Sequence, residues 1–226
     1  MEIKLSFTEA GSGAPLILLH GNGEDGTYFD PHIPALARHF RVIALDTRGH
    51  GKSPRGSAPF TIGQFARDLG DFMDAQGIER ASLLGFSDGG NIALTFALEH
   101  PKRVDRLILN GANLDPSGVK RSVQIPIVLG YGLTAVLARF SPEAARRAEL
   151  LRLMVREPHI RPSELGRITA PTLVIAGTHD MIREKHTRLI ARSLPNALLE
   201  IIPGDHFVAR THPEDFRRAV EAFLLS

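Results

Sequence analysis

Two periodicities take turns along this 226-residue chain, and their exchange limits the architectures open to it. Short β-rich runs at residues 3–7, 15–19, 41–45, 81–85, 106–109, 172–176 and 198–202 alternate with helical patterns at 31–39, 61–76, 88–99, 183–193 and 213–225. Several runs, such as Leu16-Ile17-Leu18-Leu19, are apolar without a break, as a strand covered on both faces requires. Strands that each feed a helix can bury both partners in a mostly parallel sheet wrapped by helices. The expected fold class is therefore α/β, with about seven strands. Open sheets of this kind hold roughly 200 to 250 residues around one core, so residues 1–226 read as a single domain. Thr211 stands where it would cap the last helix, ahead of Pro213.

The alternation fails between Asn113 and Gly166. A loop is followed by an apolar stretch at 123–140, interrupted by Pro126, Gly130 and Gly132, and then by an arginine-rich helical pattern at 142–156. Residues 114–165 are the candidate cap, a small insertion within the domain. The apolar stretch carries Gln124 and Arg139 and is marginal in length for a bilayer, so no membrane span is expected.

Composition narrows the chemistry. Zero cysteines remove a thiolate nucleophile and every Cys-ligated metal site, and nothing else in the sequence calls for a metal or cofactor. A formal net charge of +2 without a long run of one sign argues against nucleic acid as a partner. The first residues alternate apolar and polar like a strand and lack the charged-then-apolar layout of a secretory signal, which predicts a cytoplasmic protein.

The candidate nucleophile lies where the run 81–84 passes into Gly85-Phe86-Ser87-Asp88-Gly89-Gly90 and directly into a helical pattern. A Gly-x-Ser-x-Gly turn between strand and helix holds its serine in a strained conformation and lifts Oγ above the sheet. Glycine is needed at the flanks because a side chain there would collide with the neighbouring strand or helix. By itself the pattern also fits a simple tight turn; its context favours chemistry.

Three further loops fall at strand ends. After the run 15–19 comes His20-Gly21-Asn22-Gly23, and the backbone N–H groups of Asn22 and Asp88 are the natural oxyanion donors, with His20 read as a structural brace. After the last run, His206 in Pro203-Gly204-Asp205-His206-Phe207 is placed to act as the base. After the run 172–176, Asp180 would orient that histidine and stabilise its imidazolium, with Asp115 as a replacement.

Together these elements resemble the α/β-hydrolase superfamily over essentially the whole chain. Asp46-Thr47-Arg48-Gly49-His50-Gly51-Lys52-Ser53 is similar to the Asp-x-Arg-Gly-x-Gly-x-Ser loop of its branch of esterases, perhydrolases, lactonases and carbon–carbon bond hydrolases. In that branch the loop is mainly structural, which the resemblance extends to Arg48 and His50. Serine at the elbow separates the chain from the haloalkane dehalogenase and epoxide hydrolase branches, which use aspartate. Two departures stand out: the chain starts at what looks like the family's second strand, and the cap is small, which implies a fairly open site.

The resemblance implies an α/β-hydrolase fold and a serine hydrolase acting on an ester, or a related acyl compound, of a small molecule. Asp88 has two readings. In the first turn of a helix its charge gains roughly 0.3 to 1 kcal/mol from the helix dipole; alternatively it recognises a substrate amine, since Gly-Phe-Ser-Asp-Gly-Gly is similar to the elbow of the biphenyl-hydrolase-like group, which includes α-amino-acid ester hydrolases and valacyclovir hydrolase. Residues 125–137, with Tyr131 and Phe140, would line the acyl pocket or bury the cap against the sheet. A cofactor-free perhydrolase, a lactonase, or a ligand receptor on the same fold remain as rivals.

Overall fold

The computed structural model describes residues 2–226. Seven strands, β1 (Phe7–Ala10), β2 (Pro15–Leu19), β3 (Arg41–Leu45), β4 (Ala81–Phe86), β5 (Val104–Asn110), β6 (Thr172–Gly177) and β7 (Ala197–Ile202), form one sheet in the order β1-β3-β2-β4-β5-β6-β7. β1 runs antiparallel to β3, and every other pairing is parallel. The helices are α1 (Ile33–Leu36), α2 (Ile62–Ala75), α3 (Asp88–Glu99), α4 (Arg121–Leu137), α5 (Pro142–Arg156), α6 (Glu184–Ser193), α7 (Val208–Thr211) and α8 (Pro213–Leu224).

The unbroken apolar runs are explained by a core on each face of the sheet. Ile17 and Leu19 of β2 pack with Phe65, Leu69 and Phe72 of α2 and with Ile92 and Phe96 of α3. Leu16 and Leu18 point the other way, into Leu36, Phe216, Val220 and Phe223 beneath α1 and α8. Successive residues of a strand face opposite sides, so a strand covered twice has no polar positions left.

The structure corrects four local expectations. Residues 3–6 precede the first strand rather than form it: Phe7 already pairs with Leu45, the last residue of β3, so the chain before it has no strand to pair with, although Ile3 and Leu5 are buried. Met1 lies outside the described residues. The helix expected over 31–39 shortens to α1, because the backbone bonds that follow tighten to Arg38 N–H donating to Ala35 and His39 N–H to Leu36. Thr211 belongs to α7, and His212 stands at the cap position of α8 without a side-chain capping bond. The apolar stretch around Pro126, Gly130 and Gly132 is one continuous helix, α4. Proline removes a single bond there, while α5 packs along the helix and the Gln124 amide donates to the Met154 carbonyl at 3.1 Å.

α4 and α5 form an antiparallel excursion between β5 and β6, tied down at both ends. Lys120 N–H donates to Met181 O, and Arg183 N–H to Gly118 O, pinning the start of α4 to the loop after β6. At α5, Asn22 Nδ2 donates to Leu150 O at 2.8 Å, and Arg55 pairs with Glu149 at 2.5 Å. The excursion therefore reaches from the loop after β6 to the loops after β2 and β3.

Candidate active site

β4 ends at Phe86 and α3 begins at Asp88, leaving Ser87 alone to reverse the chain. Its φ is 53° and its ψ −119°, the only positive φ outside glycine among the described residues. A serine held there costs on the order of 1 to 3 kcal/mol, so its surroundings must over-determine it. Ser87 N–H donates to Asn110 O at 2.8 Å, and Ser87 O accepts from Asn91 N–H at 3.1 Å. The two elbow glycines let the backbones cross: a Cβ on Gly85 would lie 2.2 Å from Gly89 O, and one on Gly89 would lie 2.0 Å from Leu19 O.

Above this turn the loops after β6 and β7 bring Asp180 and His206 to Ser87. His206 Nε2 is 3.0 Å from Ser87 Oγ, and His206 Nδ1 is 2.7 Å from Asp180 Oδ1. Asp180 Oδ1 also accepts from Ile182 N–H at 2.8 Å, which fixes the carboxylate. A carboxylate can only accept, so the proton sits on Nδ1 and the Nε2 lone pair is left for the serine hydroxyl. His206 and Asp180 are buried, and Phe86 and Phe207 pack against the imidazole at 4.9 and 5.5 Å between ring centres. Gly111 completes the cradle, since a Cβ there would fall 2.6 Å from His206 Cε1.

Asn22 follows β2 on the other side of Ser87. Among the described residues its backbone N–H and that of Asp88 donate to no protein acceptor, which leaves both available to a developing oxyanion. His20 braces the loop: Nε2 accepts from Thr47 N–H at 3.0 Å, so Nδ1 carries the proton and donates to Gly21 O at 2.8 Å. Burial holds the His20 pKa below its ordinary value, in keeping with a neutral ring.

Residues 14–159 match the family model described as the alpha/beta hydrolase fold. The chain belongs to the α/β-hydrolase family. It is 34% identical to the RutD protein of Caulobacter sp. (strain K31), provisionally named a carbamate hydrolase, with 92% of this chain and 90% of that protein covered. It is 32% identical to the 2-hydroxy-6-oxononadienedioate/2-hydroxy-6-oxononatrienedioate hydrolase of Cupriavidus pinatubonensis, over 99% of this chain and 91% of that one. Among solved structures, a hydrolase from Pseudomonas aeruginosa PA01 superposes with a TM-score of 0.79 at 29% identity, covering 99% of this chain and 95% of that chain.

In this α/β-hydrolase the Asp46–Ser53 loop is structural. Arg48 is fully buried and grips Asp68 twice, through Nε at 2.6 Å and Nη2 at 2.7 Å, while Nη1 reaches Glu2 at 2.9 Å. Buried His50 has its pKa pushed down to about 4, chiefly by burial and then by His20. Asp115 makes no bond to His206; it caps a short turn by accepting from Ser117 N–H.

Asp88 departs from a simple helix-dipole residue. Burial pushes its carboxyl up to about 6, against the pull of the Asn91 and Asn22 amides. Oδ1 accepts from Asn91 Nδ2 at 3.1 Å, whereas Oδ2 is buried without a hydrogen-bond partner. Asn91 and Asn113, not singled out from the sequence, complete this network: Asn91 Nδ2 donates to Asn113 Oδ1 at 3.1 Å, and Asn113 N–H donates to Asn91 Oδ1 at 2.9 Å. The three-residue spacing of Asp88 and Asn91 at a helix start was the available signal. Glu24 was also missed; burial raises its pKa, and Arg210 lies 3.6 Å away.

The pocket residues are placed differently from expectation. Phe140 is 82% exposed, because it lies beyond the end of α4 where no element covers it, and it lines no acyl pocket. Tyr131 is half-buried and lines a cleft of about 510 Å³ with Thr95, Arg152, Glu157 and Ile160; Ser87 is not among the residues of that cleft.

Proposed function

We propose that this protein is a serine hydrolase cleaving a carboxylic ester, or a related acyl bond, of a small molecule through an acyl-enzyme on Ser87. The observation that carries the reading is the unbroken relay from Ser87 Oγ to His206 Nε2 at 3.0 Å and from His206 Nδ1 to Asp180 Oδ1 at 2.7 Å. His206 accepts the hydroxyl proton as Oγ attacks the carbonyl carbon, and Asp180 stabilises the imidazolium. The oxyanion is held between the Asn22 and Asp88 N–H groups, each able to supply on the order of 3 kcal/mol of transition-state stabilisation. His206 then protonates the leaving group, and water, activated by the same imidazole, releases the acid. α4 and α5, tied to the loops that carry Asn22 and Asp180, act as the small cap. The relatives' names include carbamate and oxo-acid hydrolases, so the family supports hydrolysis while leaving the scissile bond to be tested.

A second reading is favoured by one observation. Asp88 keeps Oδ2 buried and unpartnered beside the nucleophile, as a group reserved for a substrate amine would be. A panel of p-nitrophenyl esters of graded acyl length, with amino-acid esters beside them, tests both readings. Steady-state turnover by the native protein and its loss in Ser87→Ala are expected. Full activity in that variant would refute the acyl-enzyme, and an unchanged preference for amino-acid over neutral esters in Asp88→Asn would refute the amine site. A receptor would show little turnover with any ester.

A further inference from the structure

The longest helix of the described chain, α4, has no buried residue, and one side of it is almost wholly apolar. Ile125, Val128, Leu129, Leu133, Val136, Leu137 and Phe140 are all exposed, with Leu129 at 70%, Leu133 at 63% and Val136 at 64%. The six on α4 recur at helical spacing along one side of it, and Phe140 follows just beyond its end. The opposite side is occupied: Gln124 donates to Met154 O, and α5 packs along the helix. A contiguous apolar face of this size on a water-soluble fold marks something that covers it.

Charge indicates what that is. No ionisable side chain other than Tyr131 interrupts the helix between Arg121 and Arg139, both exposed, and Lys120 stands just before it. Across residues 121–156 six arginines face two glutamates, one of which, Glu149, is already paired with Arg55. The whole chain carries only +2, so its excess positive charge is concentrated in this helix pair. Basic residues at both ends of α4 disfavour a second copy as the cover. A two-fold pairing of α4 with itself sets Arg121 against Arg139 when antiparallel, or each against its own copy when parallel. An acidic headgroup layer over an apolar interior meets both features at once. At 17 residues the helix is about 25 Å long by its rise per residue, short of a bilayer core. No helix of the described residues is long and apolar enough to cross a membrane.

We propose that α4 is a surface-binding helix that lies in the headgroup region of an anionic lipid bilayer, its Ile125–Phe140 stripe inserted and Lys120, Arg121 and Arg139 paired with lipid phosphates. The binding is independent of catalysis, so it is read with the full chain carrying Ser87→Ala, which leaves the lipid intact whatever the enzyme hydrolyses. Co-sedimentation uses vesicles of phosphatidylcholine with about one-third phosphatidylglycerol, beside vesicles of pure phosphatidylcholine. The expected result is preferential binding to the anionic vesicles, weakened as salt rises from about 0.05 to 0.5 M. Leu129→Glu/Leu133→Glu, at positions that contribute little to folding, should reduce the bound fraction at least about ten-fold. Arg121→Gln and Arg139→Gln should each lower the partition coefficient about five-fold. Thermal melting matched to the parent confirms that each variant is folded. Absence of binding to the anionic vesicles overturns the proposal, and gel filtration then separates a second copy, seen as a dimer lost in the Leu→Glu variant, from a protein partner. Equal binding to both vesicle types, or binding untouched by the Leu→Glu change, overturns it as well.

Discussion

The carboxyl edge of the sheet and the helix pair beside it are built on opposite terms. At the edge, the positions around Ser87 are specified by neighbours: Gly89 by the Leu19 carbonyl, Gly111 by the His206 ring, Ser87 by bonds from both sides and His206 by Asp180. In α4 no residue is buried, and the helix persists through a proline and two glycines because one side of it rests on α5. The difference teaches where the molecule tolerates change. Side chains held to a fraction of an ångström sit on rigid strand ends, while α4 is held by its packing on α5 and a few bonds at its start.

Substitutions can break or sharpen that contrast. The largest effect is expected at Asp180: an amide cannot enforce the Nδ1–H tautomer, so Asp180→Asn should lower kcat on a p-nitrophenyl ester on the order of 10⁴-fold with little change in folding. Gly89→Ala should follow, losing about 3 kcal/mol or more in denaturant melts, because the added methyl meets only main-chain atoms, which cannot yield. The same change in the two regions gives the direct comparison. Leu84→Ala, in the fully buried run of β4, should cost about 2 to 5 kcal/mol.

Asp88 adds a pH-dependent test. Its carboxyl is raised from 3.8 to about 6, so the folded state favours the neutral form; the associated stability is fully present below pH 3.8 and is lost as pH rises through 6. Asp88→Asn should therefore be more stable than the native chain at pH 8, by up to about 3 kcal/mol, with the advantage vanishing near pH 4. An unchanged pH dependence of melting would show that the burial of this carboxyl is not felt as a charge. The smallest effect is expected at the exposed end of the contrast: Leu133→Ala should change stability by no more than about 0.5 kcal/mol. A loss comparable to that of Leu84→Ala would erase the distinction between the two regions.

The same contrast accounts for what was legible in the amino-acid order. Six of the seven strands were visible to within two residues at either end, β2 and β6 through the unbroken apolar runs that strands covered on both faces leave, and the placement of Ser87, Asp180 and His206 followed from lying at strand ends. Residues 3–6 misled because side-chain burial alternates there without a neighbouring strand, a fact of pairing that local pattern does not carry. α4 misled because Pro126, Gly130 and Gly132 are breakers by propensity, and packing on α5 overrides propensity. Phe140 fits neither of its two readings, pocket lining or burial of the cap against the sheet, because nothing in the order of residues says whether an apolar stripe faces inward or outward. The Asp88–Asn91–Asn113 network joins a helix start to the loop after β5, a proximity that only the fold reveals.

The central claim is that Ser87 forms a covalent bond to the acyl group. An alkyl p-nitrophenyl phosphonate carries out the first step and cannot complete the second, so intact-mass and peptide mass spectrometry after its addition read the nucleophile directly. The account predicts one phosphonyl group on the peptide containing Ser87, appearing in step with the loss of esterase activity and absent from Ser87→Ala. Ester hydrolysis at the native rate by Ser87→Ala, or inactivation with the label on another residue, would contradict it.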